Sequence, residues 1–96
     1  MNVTERKLIM VEAIHKYGNR NQMEMAIEEM SELIKEICKN FRGEKNIVQI
    51  TEEIADVKIT IEQLCMILGI DSSNVDNWMD IKMNRLRKRM GEEDAR

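Results

Sequence analysis

The segment AIEEMSELIKEI, residues 26–37, combines an apolar stripe with a concentration of carboxylates. Its apolar residues recur at spacings of three and four, which is typical of a helix that buries one face. Glu28, Glu29 and Glu32 lie in this segment, and a second acidic group follows in TEEIADV, residues 51–57. The two segments predict two packed helices that each carry acids beside an apolar face.

Composition favours one small helical domain over residues 1–96. The 96 residues include no Pro, and only Trp, Tyr and Phe, one of each, are aromatic, which disfavours a sheet. The chain has 18 acidic and 15 basic residues, whereas nucleic-acid binders usually carry a large basic excess. No apolar run approaches the roughly 20 residues of a membrane span. We therefore expect a cytoplasmic protein with neither membrane nor nucleic-acid partners, and with reduced, buried Cys38 and Cys65.

Glycines and polar caps divide the chain into about four helices. The glycines that follow helical stretches are Gly18, Gly43, Gly69 and Gly91. The candidate N-caps are Asn19 or Asn21, Asn46, and one of Asp71, Ser72 and Ser73. The predicted helices cover residues 4–16, 21–41, 47–68 and 73–90, and residues 92–96 are predicted to form a frayed tail. Short connections predict an all-α, up-and-down bundle, and the small size predicts that oligomerisation completes it.

The acids form two pairs on matching flanks of the predicted helices. Glu29 and Glu32 lie three residues apart at one margin of the first apolar stripe, and Glu53 and Asp56 do the same on the next helix. Antiparallel packing would bring the four carboxylates together, where they repel unless a cation such as Mg²⁺ binds. Solvated helix faces explain the same spacing, so both interpretations stay open. A diiron site is excluded because the only histidine, His15, is remote from both acidic clusters in the sequence.

The fourth predicted helix adds a column of cations. Lys82 falls on its apolar line, four residues after Trp78, and Arg85 follows three residues later. Carboxylates with a metal on one side and cations on the other suit a polyphosphate. Alternatively, the lysine extends along the surface and the cations complement the helix dipole.

The ordered motifs resemble those of a known family. Glu28-Glu29-x-x-Glu32, twenty intervening residues and Glu53-x-x-Asp56 resemble the EExxE…ExxD signature of MazG-type nucleoside triphosphate pyrophosphohydrolases, in the all-α NTP pyrophosphatase superfamily. The segments NQMEMAIEEMSELIKEI, EEIADVKITIEQL and KMNRLRKR are similar to the two metal helices and the C-terminal Lys-x-x-Arg segment of that family. The likeness extends from about Gln22 to Arg89.

The resemblance implies a function and a site. It implies a bundle assembled as a homodimer or a dimer of dimers, which hydrolyses a nucleoside triphosphate between the α and β phosphates. Mg²⁺, with Mn²⁺ as a substitute, would be held by Glu29, Glu32, Glu53 and Asp56. Glu28 or Glu32 would hold or deprotonate the attacking water, and Lys82 and Arg85 would bind the phosphates. The candidates for base or ribose contacts are Gln22, Tyr17, Trp78 and His15.

Two other functions remain open from the sequence. A non-catalytic helical interaction module would use the acids for solubility and Lys82 at a partner-helix interface. A nucleotide-sensing binder would keep the metal site without turnover. The pyrophosphohydrolase, with a role in cleaning the nucleotide pool, is the first hypothesis because it accounts for all the acidic positions and Lys82 together.

Overall fold

The computed structural model describes residues 1–95, which contain four helices and no strand. They are α1 (Val3–Tyr17), α2 (Asn19–Phe41), α3 (Ile47–Leu68) and α4 (Ser72–Asp94). The all-α class and the number of helices are confirmed. The helix over residues 47–68 matches its predicted range, and the others extend beyond theirs.

The C-terminal helix extends to Asp94, beyond the predicted helix end before Gly91; the frayed tail over residues 92–96 stays a prediction. The Ala95 N–H donates to the Gly91 carbonyl at 3.1 Å, and Arg89 lies 3.9 Å from Glu93 one turn later. A glycine inside a helix costs about 1 kcal/mol, which a surrounding run of good helix formers offsets. Arg96 lies outside the described residues.

The turn between α3 and α4 follows the predicted local chemistry. Gly69 adopts the left-handed conformation, with φ 68° and ψ 32°, and its N–H donates to the Cys65 carbonyl. Asp71 is the N-cap of α4, since its carboxylate accepts a hydrogen bond from the Ser73 N–H at 3.0 Å. These contacts end one helix and begin the next across three residues.

The predicted caps of α2 and α3 are not made by the expected side chains. Gly18 precedes α2 without any side-chain cap, and both Asn19 and Asn21 lie inside the helix. Asn46 is at the N-cap position of α3, but its amide nitrogen donates to the Glu36 carbonyl at 2.8 Å and to Glu36 Oε2 at 2.7 Å. The buried Asn46 therefore ties the loop to the end of α2.

Three helices pack together and the fourth lies apart. Gln22, near the start of α2, bonds to Gln63, near the end of α3, while Glu36 and Asn46 meet at the opposite ends, so the two helices are antiparallel. They contact each other along their length, α1 contacts both, and α4 makes no more than a marginal contact with any helix. The radius of gyration is 17.0 Å, against about 12.5 Å for a compact chain of this length.

Most large apolar side chains are left uncovered in one chain. Met10 and Ala26 are the buried apolar residues within the described range, and the solvent-accessible surface is 7957 Å². A compact monomer of this mass exposes about 5,700 Å². Cys38 is exposed and Cys65 is half-buried, so the expectation of two buried cysteines is wrong.

The apolar stripe of α2 was predicted to pack against a neighbouring helix, but much of it faces solvent, including Ile27 and Phe41. The reason is that the acidic flank of α2, and not the middle of its apolar stripe, lies nearer α3. No helix in residues 1–95 has the length and apolarity to cross a bilayer.

Candidate metal centre

Three carboxylates from two helices meet where α2 and α3 pack. Glu29 on α2 and Glu53 and Asp56 on α3 each place one carboxylate oxygen within 4.8 Å of the others. Antiparallel packing of the two acidic flanks produces this cluster, as the positions of the acids in the sequence led us to expect. Glu29 and Glu53 are half-buried and Asp56 is exposed. We call these three side chains the carboxylate cluster.

The carboxylate cluster is electrostatically unfavourable without a cation. Partial burial of Glu29, together with the nearby carboxylates of Asp56 and Glu53, raises the pKa of Glu29 to about 7. Within residues 1–95, none of the three forms an ion pair with a lysine or arginine. A proton on Glu29 or a bound metal ion would relieve this repulsion.

The donor set fits a hard divalent cation. Glu53 Oε2 is buried and has no hydrogen-bond partner among the described residues, which is an uncommon state for a buried polar atom. Mg²⁺ and Mn²⁺ take carboxylate oxygens as ligands, and Mg²⁺ keeps coordination positions for water or phosphate. Clustered carboxylates, an unpartnered oxygen and a raised pKa are the features expected where such an ion binds.

The other two predicted acids of α2 lie outside this group. Glu32 is half-buried one turn beyond Glu29, and its carboxylate is not among the oxygens within 4.8 Å of one another. Glu28 is exposed, and its carbonyl accepts a hydrogen bond from Ser31 Oγ at 2.7 Å. The structure thus brings together three of the four predicted metal ligands.

A cavity of about 270 Å³ adjoins the carboxylate cluster. It lies among α1, α2 and α3, and Glu29 and Asp56 form part of its wall. The remaining lining residues are Ile9, Met10, Ala13, Gln22, Met25, Ile59, Thr60 and Gln63. Acidic, amide and apolar side chains therefore share one small space, which suits a ligand with both polar and apolar parts.

Two glutamines in the cavity wall form a buried chain of hydrogen bonds. Gln22 Nε2 donates to Gln63 Oε1 at 3.1 Å, and Gln63 Nε2 donates to the Met10 carbonyl at 3.2 Å. Both side chains are buried. The chain joins α2, α3 and α1, so it fixes the orientation of both amides. Gln22, a candidate for base contact from the sequence, is thereby placed in the cavity beside the carboxylate cluster.

Gln63 was missed by the sequence reasoning, although a signal for it exists. Glu53, Asp56, Thr60 and Gln63 follow one another at spacings of three and four along α3. That spacing puts them on one face of the helix. A polar line of this kind along one face of a helix predicts a polar seam, and it continues from the carboxylate cluster into the cavity.

The remaining candidates lie away from the carboxylate cluster in one chain. Tyr17 is exposed at the end of α1, where Lys16 Nζ lies 5.5 Å from its ring centroid, and His15 is exposed nearby. Three further candidates, Trp78, Lys82 and Arg85, are exposed on α4. None of these side chains lines the cavity beside the carboxylate cluster.

No model of a known protein family, no curated protein and no solved structure matches this chain.

Proposed function

We propose that this chain is a Mg²⁺-dependent nucleoside triphosphate pyrophosphohydrolase. It would cleave an NTP or dNTP between the α and β phosphates and release a monophosphate and pyrophosphate, in keeping with a cytoplasmic role in cleaning the nucleotide pool. The observation that carries the proposal is the carboxylate cluster, with the unpartnered Glu53 Oε2, beside a cavity that contains buried amides. The resemblance of the sequence motifs to those of MazG-type pyrophosphohydrolases is what favours phosphoanhydride hydrolysis among the reactions of metal-binding carboxylates.

The acids divide into those that hold the metal and those that handle water. Glu29, Glu53 and Asp56 would hold Mg²⁺, or Mn²⁺ in its place, and Glu32 is the proposed fourth ligand. The ion supplies Lewis-acid chemistry, because it neutralises phosphate charge and makes a water molecule more acidic. Glu28 or Glu32 would orient the attacking water and accept its proton.

The cavity is the proposed site of the nucleoside. Gln22 has one amide hydrogen committed to Gln63, and its Oε1 forms no hydrogen bond with the residues that the structure describes. That oxygen and the second amide hydrogen suit the donor and acceptor edge of a base. Apolar side chains such as Ile9 and Ile59 provide apolar contact surface in the same wall. Tyr17 and Trp78 remain candidates for stacking on the base or ribose.

The leaving pyrophosphate needs cations that the carboxylate cluster does not offer. Lys82 and Arg85 are the proposed phosphate-binding residues, because they stand one turn apart in the basic segment of α4. A guanidinium and an ammonium together stabilise the negative charge that develops on the departing group.

The active assembly is proposed to be a homodimer or a dimer of dimers. The chain exposes about 2,200 Å² more surface than a compact monomer of its mass, while a standard interface buries about 800 Å² on each partner. The excess includes large apolar side chains on α2 and α4, such as Phe41 and Trp78. A second copy would cover surface that a lone chain leaves in water.

The uncovered apolar surface also favours the alternative function, a non-catalytic helical interaction module. That function explains the exposed side chains but gives no role to the unpartnered Glu53 Oε2. A nucleotide-sensing binder would use the same cavity and carboxylate cluster without turnover.

The test is pyrophosphate release from a panel of NTPs and dNTPs, measured with Mg²⁺ and again with EDTA. Metal-dependent release of pyrophosphate and a monophosphate from one or a few substrates would support the enzyme. If no substrate turns over while Mg²⁺ plus nucleotide raises the melting temperature, the protein is the binder. If neither effect occurs, the interaction module is the better description.

A further inference from the structure

We propose that Gln63 is a positioning residue that makes the cavity distinguish a base with an exocyclic amino group from a base with a keto group at the same ring position. It acts through Gln22, whose side-chain amide it holds in one orientation. The fixed orientation follows from hydrogen bonds within one chain, whereas its use in base recognition rests on the proposed function.

A backbone carbonyl determines the orientation of both amides. The Met10 carbonyl can only accept a hydrogen bond, so Gln63 turns its Nε2 toward that oxygen, at 3.2 Å. Gln63 Oε1 therefore faces Gln22, which in turn presents its own Nε2, at 3.1 Å. Turning over Gln22 alone would set two amide oxygens against each other. Turning over both amides would set Gln63 Oε1 against the Met10 carbonyl, which cannot reverse.

Burial makes a reversed amide costly. Gln63 is 3 % exposed and Gln22 is 9 % exposed, so little water reaches either side chain to replace a lost partner. Two acceptors that face each other in a buried position lose a hydrogen bond and repel. Gln49, on the same helix as Gln63, is exposed and has no such restriction. The two buried amides are therefore held in one orientation.

A held amide distinguishes two base edges that a rotating amide accepts equally. Cytosine offers a donor at N4 beside an acceptor at N3, whereas uracil offers an acceptor at O4 beside a donor at N3. The described residues leave Gln22 Oε1 and one of its amide hydrogens free. In one orientation these two atoms match only one of the edges, and the other edge meets them acceptor to acceptor and donor to donor. Adenine and hypoxanthine differ in the same way at N1 and at the substituent on C6.

The amides supply the polar recognition in this wall of the cavity. Thr60 also lines it, but Thr60 Oγ donates to backbone carbonyls of its own helix, those of Asp56 at 3.1 Å and Val57 at 3.0 Å. The other uncharged lining residues are apolar. Base selection in this cavity therefore depends on the amide of Gln22 and, through it, on Gln63.

Side-chain NMR tests whether the amides are held, without nucleotide or metal. In isotope-labelled wild-type protein, the amide hydrogens of Gln22 and Gln63 that form these bonds are expected to exchange with water much more slowly than those of the exposed Gln49. Equal exchange rates at the three residues would overturn the proposal. The result does not depend on the folding of any variant.

Matched substrates test whether the held amide selects the base. CTP and UTP differ only in the amino or keto edge, as do ATP and inosine triphosphate, and the ratio of kcat/KM within a pair does not depend on the fraction of folded protein. Wild type is expected to prefer one member of the pair that it hydrolyses faster by about tenfold or more. Gln63→Met should bring that ratio close to one, because the Gln22 amide can then rotate. Gln49→Met, the control, should keep the wild-type ratio.

The outcomes separate the role of Gln63 from the proposed function. Hydrolysis of both members of each pair at equal rates by wild type, or an unchanged ratio in Gln63→Met, would overturn the role of Gln63 and leave the hydrolysis intact. If no nucleotide is hydrolysed, the proposed function fails, and the same ratios are measured as dissociation constants of the nucleotides with Mg²⁺. A preference that Gln63→Met loses would then still support the role of Gln63. If no nucleotide binds, that role is overturned as well.

Discussion

Glu29 and Asp56, on antiparallel helices, hold carboxylate oxygens within 4.8 Å of each other. Glu29 is half-buried, and a second negative charge at this separation disfavours its ionised form. Partial burial and the carboxylates of Asp56 and Glu53 together raise the pKa of Glu29 to about 7. The hypothesis that the carboxylate cluster binds a metal ion can therefore be tested in the protein without nucleotide, because a bound cation and a bound proton relieve the same repulsion.

Glu53→Gln is expected to abolish Mg²⁺-dependent hydrolysis, with a loss of at least about 100-fold, because it replaces a proposed metal ligand. The same change should raise the melting temperature without metal at pH 8, where Glu29 is mostly ionised, since it removes one carboxylate from the cluster. Activity and thermal unfolding would be measured on the same preparation. The control is Glu52→Gln, one residue earlier and exposed, which should match wild type in both. Full activity in Glu53→Gln would reject this residue as a ligand.

The metal-free protein is expected to lose stability as pH rises from about 4.5 to about 7. In that window the native state keeps a proton on Glu29, whose pKa is raised from 4.5 to about 7, while the unfolded state has released it. Stability therefore falls with increasing pH because the native state binds more protons. Melting temperatures at pH 5 and pH 8, measured in EDTA, would show a fall of several degrees.

Two comparisons assign that fall to the carboxylate cluster. Glu29→Gln should flatten the pH dependence, because the amide does not titrate. Mg²⁺ added at pH 8 should recover stability, since a ligand that binds only the native state favours it. An unchanged slope in Glu29→Gln would place the titrating group elsewhere.

Local chemistry explains which parts of the fold were predictable. Gly69 and Asp71 end and begin helices through contacts with neighbours in sequence, so their roles can be derived without the fold. Gly91 shows the limit, because α4 continues through it to Asp94 and a glycine alone does not determine whether a helix ends there. The orientation of α2 was predicted less well, since its apolar stripe is wider than one neighbouring helix covers and much of it remains exposed.

The site was partly predictable for a similar reason. Helical spacing places Glu29, Glu53 and Asp56 on facing flanks of two helices, and antiparallel packing of those helices brings the three carboxylates together. Gln63 requires knowledge of which residue lies opposite, here Gln22 at 3.1 Å. Lys82 lies on α4, which makes no more than a marginal contact with any other helix, so helical spacing does not determine its relation to the carboxylate cluster.

Gln63→Met is expected to destabilise the protein by about 1–3 kcal/mol, because it leaves the Met10 carbonyl and the Gln22 amide without their partner. Urea unfolding measures this change. Gln49→Met, an exposed position on the same helix, is the matched control and should be close to neutral. If Gln63→Met is equally neutral, the buried hydrogen-bond chain does not stabilise the contact of the three helices.

Asn46→Ala is expected to destabilise the α2–α3 connection, most clearly near neutral pH. The Asn46 amide lowers the pKa of Glu36, with a smaller contribution from Lys39. A lowered pKa means that this stabilisation is present above the ordinary carboxyl pKa and is lost as pH falls through the native value. The difference in melting temperature between variant and wild type should therefore narrow in acid, and the part that remains reflects the lost hydrogen bond to the Glu36 carbonyl. A constant difference at every pH would show that Asn46 acts independently of the Glu36 charge.

Titration of the purified protein with Mn²⁺, followed by electron paramagnetic resonance, tests most directly whether the carboxylate cluster binds a divalent ion. Wild type and Glu52→Gln are predicted to bind Mn²⁺ saturably and to release it to excess Mg²⁺, while Glu53→Gln loses most of that binding. Equal Mn²⁺ binding by Glu53→Gln and wild type, or no saturable binding by wild type, would contradict the account.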